Sequence, residues 1–193
     1  ESERFSPEGS KKHWAIAFLN TYVNLLIGNR KKAREILDEM IANIHPGSQA
    51  ACAYYYCWAV LSLDEEDLDK AQEYLQLAMQ LANKTGMPDM LVWVRLAYAR
   101  YHRYRGELSV ARSWAEDGLR IAEQIGFQYF ICESCIECGK IYYFMNEPTK
   151  AESYLQRALD ISGKYENEYL HARALYLLAL LYDQTKHPNA SIT

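Results

Sequence analysis

The chain has 193 residues, half of them hydrophobic and 24% charged, with a formal net charge of −4. Nine glycines and five prolines are too few for a disordered or low-complexity chain. The acidic balance argues against a broad nucleic-acid surface, and no apolar run approaches the ~20 residues that cross a bilayer.

The chain opens Glu1-Ser2-Glu3, with no basic-then-apolar leader. Its five cysteines, an odd number, sit mostly in apolar stretches. That usage suits reduced thiols in the cytoplasm better than a secreted disulfide framework.

Taken in chain order, apolar residues recurring at three and four predict helices over 11–27, 30–44, 49–64, 67–84, 88–105, 107–125, 128–145, 147–163 and 166–185. Turn residues fall where these must reverse: His45-Pro46-Gly47-Ser48, Thr85-Gly86-Met87-Pro88 and Gly126. No segment sustains the alternation of a strand.

The helices repeat. Gly28-Asn-Arg-Lys-Lys-Ala33, Asp67-Leu-Asp-Lys-Ala71, Gly106-Glu-Leu-Ser-Val-Ala111 and Asn146-Glu-Pro-Thr-Lys-Ala151 share a register, and a fifth start appears at His187-Pro-Asn-Ala190. The anchoring alanines are 38, 40, 40 and 39 residues apart. Three residues beyond each complete anchor stand Ile36, Tyr74, Trp114 and Tyr154. Seven beyond stand Met40, Ala78, Gly118 and Ala158, and twelve before stand Thr21, Ala59, Ala99 and Gly139. Small residues at fixed positions let neighbouring helix backbones approach, and a large one three along fills the space beside them.

This pattern resembles the tetratricopeptide repeat family in a long variant of about forty residues per unit. The likeness rests on the small residue late in the first helix (Thr21, Ala59, Ala99, Gly139) and the turn glycines Gly28 and Gly106. It rests also on the alanine anchors, on Leu37, Leu75 and Leu155, and on Ala78 and Ala158. Glu66 and Asn146 stand where the turn glycine is usual, and the early tryptophan of the first helix is replaced by Ala17, Tyr55, Arg95 and Cys135.

The resemblance implies an all-α, right-handed superhelical solenoid of antiparallel helix pairs, four repeats plus a truncated fifth. Residues 1–10 form an N-terminal tail and 11–193 the repeat domain, with units over about 11–47, 48–87, 88–127, 128–165 and a partial 166–193. Because no polar capping helix follows Ala190-Ser-Ile-Thr193, the chain is expected to be a piece of a longer protein, able to self-associate through the truncated end.

No catalytic constellation stands out. Cys132-Glu-Ser-Cys135-Ile-Glu-Cys138 has the spacing of part of an iron–sulfur run, but the fourth cysteine is replaced by Tyr142, and burial as small apolar side chains is the expectation. The five histidines are scattered singly and form no metal-binding pair on one helix face. No enzyme activity, metal or cofactor is expected.

In this family the first helix of each pair lines the inner, concave wall. Counting back from Ala111 places Trp93, Leu96, Arg100 and Arg103 on that wall; counting from Ala151 places Glu133, Ile136, Lys140 and Tyr143 beside them. The candidate peptide-binding set is therefore Trp93, Arg100, Arg103, Glu133, Lys140 and Tyr143, in which a basic strip flanked by aromatics would hold the carboxylates of an acidic segment. Phe18 and Tyr22 stand where the family's chaperone-tail clamp needs Lys and Asn, so that subtype is not expected. The leading function is a scaffold that binds another protein or peptide, with neither nucleic acid nor membrane as partner. The alternatives are a peptide-sensing domain of a bacterial signal-responsive regulator and an enzyme with an unrecognised site.

Overall fold

The structure, a computed structural model, describes residues 7–41 and 44–186. The tail through residue 6 and the fifth repeat start at His187-Pro-Asn-Ala190 lie outside the described residues. Among those described there are nine helices and no strand: α1 (Pro7–Leu26), α2 (Arg30–Met40), α3 (Gln49–Asp64), α4 (Leu68–Thr85), α5 (Pro88–Tyr104), α6 (Leu108–Ile125), α7 (Gln128–Phe144), α8 (Pro148–Lys164) and α9 (Glu168–Lys186). Most ends fall within two residues of the sequence reading. The exceptions are α1, which starts at Pro7, a residue suited to a helical first turn, and α2, which stops at Met40 instead of 44. The chain divides into two compact units, one ending at Ala97 and the other beginning at Tyr98, with the division inside α5.

In the first unit α1 packs on α2 and α3, and α3 packs on α2 and α4. Side chains start three of these helices. Asn29 accepts from the Lys32 amide, Ser48 from Ala51 and Asp67 from Lys70, each meeting one of the amide donors that a helix start leaves open. The helix α4 shows how the anchors work. Ala71, Leu75, Ala78 and Ala82 recur at four, three and four, and all four are fully buried. Across the pair, the Tyr74 ring stacks against Tyr55 and Trp58 of α3, with centroids 6.3 and 5.7 Å apart.

The second unit repeats the scheme with α6 on α7, α7 on α8, and α9 on both α7 and α8. Anchors Ala111 and Ala151 are fully buried, and the large residue three along again meets its neighbour helix: Tyr98–Trp114 and Tyr142–Tyr154 stack at 4.6 and 5.5 Å. Gly139 is small for a strict reason. A Cβ there would lie 2.6 Å from Leu155 Cγ, a separation that no relaxed packing tolerates. The turns that lack glycine keep the glycine conformation: Glu66 and Asn146 have φ of 60° and 57°, beside 74° at Gly28 and Gly106.

The cysteines are core residues. All five are free and buried. Cys52 Sγ donates to the Ala78 carbonyl and Cys132 Sγ to Ala158, both at 3.3 Å, the same bond two repeats apart. Burial pushes the Cys132 thiol up to about 11 and Cys135 up to about 12, so both stay protonated at neutral pH. Among the described residues no three His, Cys, Asp or Glu side chains are placed to share a metal ion, and no helix is long and apolar enough to cross a membrane.

Candidate functional site

The three basic residues counted from the anchors converge in the second unit with a fourth that was not counted, Arg173. Arg100 and Arg103 come from the last turns of α5, Lys140 from α7, and Arg173 from α9. Arg103 is the most enclosed: its guanidinium lies over the rings of Tyr104 (4.8 Å) and Phe144 (5.3 Å), and only 8% of its side chain is exposed. Its Nε stands 3.5 Å from Glu137 Oε1, and neither atom makes a hydrogen bond among the described residues. At that separation the pair attracts but is longer than a formed N–H···O bond.

The other carboxylate is fully used. Arg173 Nη1 donates to both oxygens of Glu133, at 2.7 and 2.6 Å, while its guanidinium lies over the Tyr169 ring. Arg100 lies over Tyr104 and donates to its hydroxyl at 3.3 Å. Lys140 makes no hydrogen bond or ion pair among the described residues, although it is half-buried.

The titrations follow from this layout. Burial alone would push the Glu137 carboxyl up, but Lys140, Arg103, Arg100 and Arg173 outweigh it and hold the group below the usual carboxylate range. For Lys140 burial lowers the amine, Glu137 opposes, and the three arginines push further down, so the net shift is downward. Burial would raise the Tyr104 phenol, yet Arg100, Arg103 and Lys140 bring it below its ordinary value. A group that lowers several neighbours toward their anionic or neutral forms is a field of positive charge, and an incoming carboxylate would be stabilised in it.

The candidate residues thus divide. Arg100, Arg103, Lys140 and Glu133 meet in one unit, with Tyr143 half-buried and packed edge-on against Phe144. Glu133 is an internal counter-charge held by Arg173, not a group presented to solvent. Leu96 and Ile136, counted onto the same wall, are core residues at 8% and 0% exposure. Trp93 belongs to the first unit, where it meets Tyr22 at 5.0 Å and Tyr56 at 5.7 Å. Phe18 completes that aromatic cluster against the same two tyrosines.

Sequence reasoning missed Glu137, Arg173, Tyr104 and Phe144. Two signals were available. Glu137 is one of two carboxylates in an otherwise mostly apolar stretch of α7, and a carboxylate there calls for a cationic partner. Arg173 follows Glu133 by forty residues, so carrying the count back from Ala190 lands on Ala172, directly beside it.

Tandem antiparallel helix pairs in one recurring register define a helical-repeat protein. Family models for the tetratricopeptide repeat match residues 49–124 and 133–165. The chain belongs to the tetratricopeptide repeat family.

Solved structures with this fold include the Signal Transduction ATPase with Numerous Domains (STAND) protein with a tetratricopeptide repeat sensor from Pyrococcus horikoshii, at 23% identity and a TM-score of 0.71. The apo form of RapI is similar at 17% identity and TM-score 0.74, and tetratricopeptide-like repeats of a Podospora anserina kinesin light chain at 16% and 0.63. The likeness covers 91%, 92% and 91% of this chain; of those proteins it covers 27%, 51% and 87%. The chain therefore spans about a quarter of the first and half of the second. No curated protein sequence matches it.

Proposed function

We propose that this chain is a non-catalytic binding scaffold that holds an acidic segment of another protein or a peptide on the face made by α5, α7 and α9 of the second unit. The observation that carries the reading is Lys140. It is a half-buried cation with no close ion pair or hydrogen bond among the described residues; the carboxylate that acts on it, Glu137, is shared with Arg103, Arg100 and Arg173, and Glu133 is held by Arg173. Cationic groups withdrawn from water gain most from an anion that completes their hydrogen bonds. The repeat frame is that of 11–47, 48–87, 88–127, 128–165 and a partial 166–193. Five buried, free thiols support a reducing, cytoplasmic setting.

A regulatory form of the same reading is supported by the likeness to the STAND protein, whose tetratricopeptide repeats are named a sensor. There the bound segment would change the arrangement of the repeats, which small-angle scattering with and without ligand would detect.

The test uses a fluorescent Glu-rich peptide and its Gln counterpart. The Glu peptide is expected to bind, the Gln peptide not to, and Lys140→Met to weaken binding by about 2 kcal/mol or more, roughly thirtyfold. As a control, Arg157→Met removes only the exposed Arg157–Glu123 pair and should change binding by less than about 1 kcal/mol. Equal binding of both peptides, or indifference to Lys140→Met, would defeat the proposal.

A further inference from the structure

The first helix carries a face that nothing among the described residues covers. Ile16, Leu19, Val23 and Leu26 are 63%, 58%, 50% and 37% exposed, and Ile27, just past the helix end, is 71% exposed. Their spacing of three, four and three lines them on one side of α1, with Asn20 exposed among them. In every later unit the equivalents of Ile16, Leu19 and Val23 are buried, while two of those of Leu26, Tyr104 (42%) and Phe144 (49%), stay exposed. Counted from the anchors, Ile16 corresponds to Tyr54 (7%), Val94 (0%) and Ser134 (0%). Leu19 corresponds to Cys57 (0%), Ala97 (4%) and Glu137 (8%), and Val23 to Leu61 (0%), Tyr101 (3%) and Ile141 (0%). In the first unit α2 packs on α3, and in the second α6 packs on α7 and α8 on α9, so this face is one that the fold covers with another helix.

We infer that α1 is a self-association face, on which a second copy of the chain lays its own α1 about a twofold axis. Three properties favour a second copy. No Asp, Glu, Lys or Arg occurs between Trp14 and Asn29, so two such faces meet without like-charge repulsion and offer nothing to select a charged partner. The three–four–three spacing is that of a helix seam, which is complementary to itself in a twofold contact. The side chains expose on the order of 500 Å² of apolar surface, a patch size that marks an interface. Pairing would bury about 1,000 Å², the lower end for specific association, so the dimer is weak and concentration-dependent.

Sedimentation velocity of the chain from about 1 µM to about 500 µM tests this. The expected result is a monomer–dimer equilibrium that stops at two. Leu19→Glu with Val23→Lys should abolish it, and because both side chains are exposed, thermal melting of the diluted protein should be unchanged. Asn20→Leu extends the seam and should tighten the dimer about fivefold. A chain monomeric throughout overturns the inference, as does a dimer that survives the double variant. So does growth beyond two that Tyr176→Glu prevents, since Tyr176 is 64% exposed on α9 and that result would mean head-to-tail stacking.

Discussion

The two units use one helical register for opposite surfaces. Eleven residues before the anchors, the first unit has Tyr22 and Val60 and the second has Arg100 and Lys140. Fifteen before, the first unit has Phe18, Tyr56 and Leu96 and the second has Ile136. In the first unit the outcome is a neutral aromatic cluster of Phe18, Tyr22, Tyr56 and Trp93. In the second it is a cluster of cations around Glu137 and Glu133. The backbone devices are common to both, so what each face can hold is set by a few side chains and not by the fold.

The largest effect should come from breaking the common device. Gly139→Val forces its side chain into Leu155, a fully buried residue on α8, with the added Cβ 2.6 Å from Leu155 Cγ. We expect a loss of about 3 kcal/mol, read as a shift of the urea midpoint. A variant as stable as the parent would mean that α7 and α8 do not pack as closely as described.

A smaller effect, of opposite sign, should appear at the turns that lack glycine. Asn146→Gly in the second unit and Glu66→Gly in the first relieve a left-handed backbone at φ 57° and 60°. Each should stabilise by up to about 1 kcal/mol, Glu66 more than Asn146, because asparagine tolerates that conformation better than glutamate. Equal destabilisation by both would show that the side chains, and not the backbone, matter at these turns.

Much of this fold was legible because it is local and repeated. Alanine spacing fixed the helix pairs, and the period of three and four fixed their faces. The site was legible only in part. Counting from an anchor gives the direction of a side chain around its helix, which found Arg100, Arg103 and Lys140, but not its depth. Leu96 and Ile136 therefore looked like wall residues and are core; for Ile136 the reason is that α6, α8 and α9 all pack on α7. The pairs Arg103–Glu137 and Arg173–Glu133 join residues 34 and 40 apart on different helices, and no local pattern reports such a meeting.

The central claim is that Lys140 is a cation only partly answered by Glu137 and open to a further anion, and its own titration reads that directly. Burial and three arginines lower its folded-state pKa below that of lysine in the unfolded chain. The protonated amine is therefore disfavoured by folding, and this cost disappears as pH rises through the folded pKa toward the unfolded one. A bound carboxylate reverses the shift, so between those two pH values binding must take up a proton. The measurement is NMR titration of the Lys140 side chain, labelled at Cε, alone and with a saturating tetraglutamate peptide. The account predicts a pKa below that of ordinary lysine for the chain alone, and a rise when the peptide is present. A Lys140 pKa that the peptide leaves unmoved would contradict it.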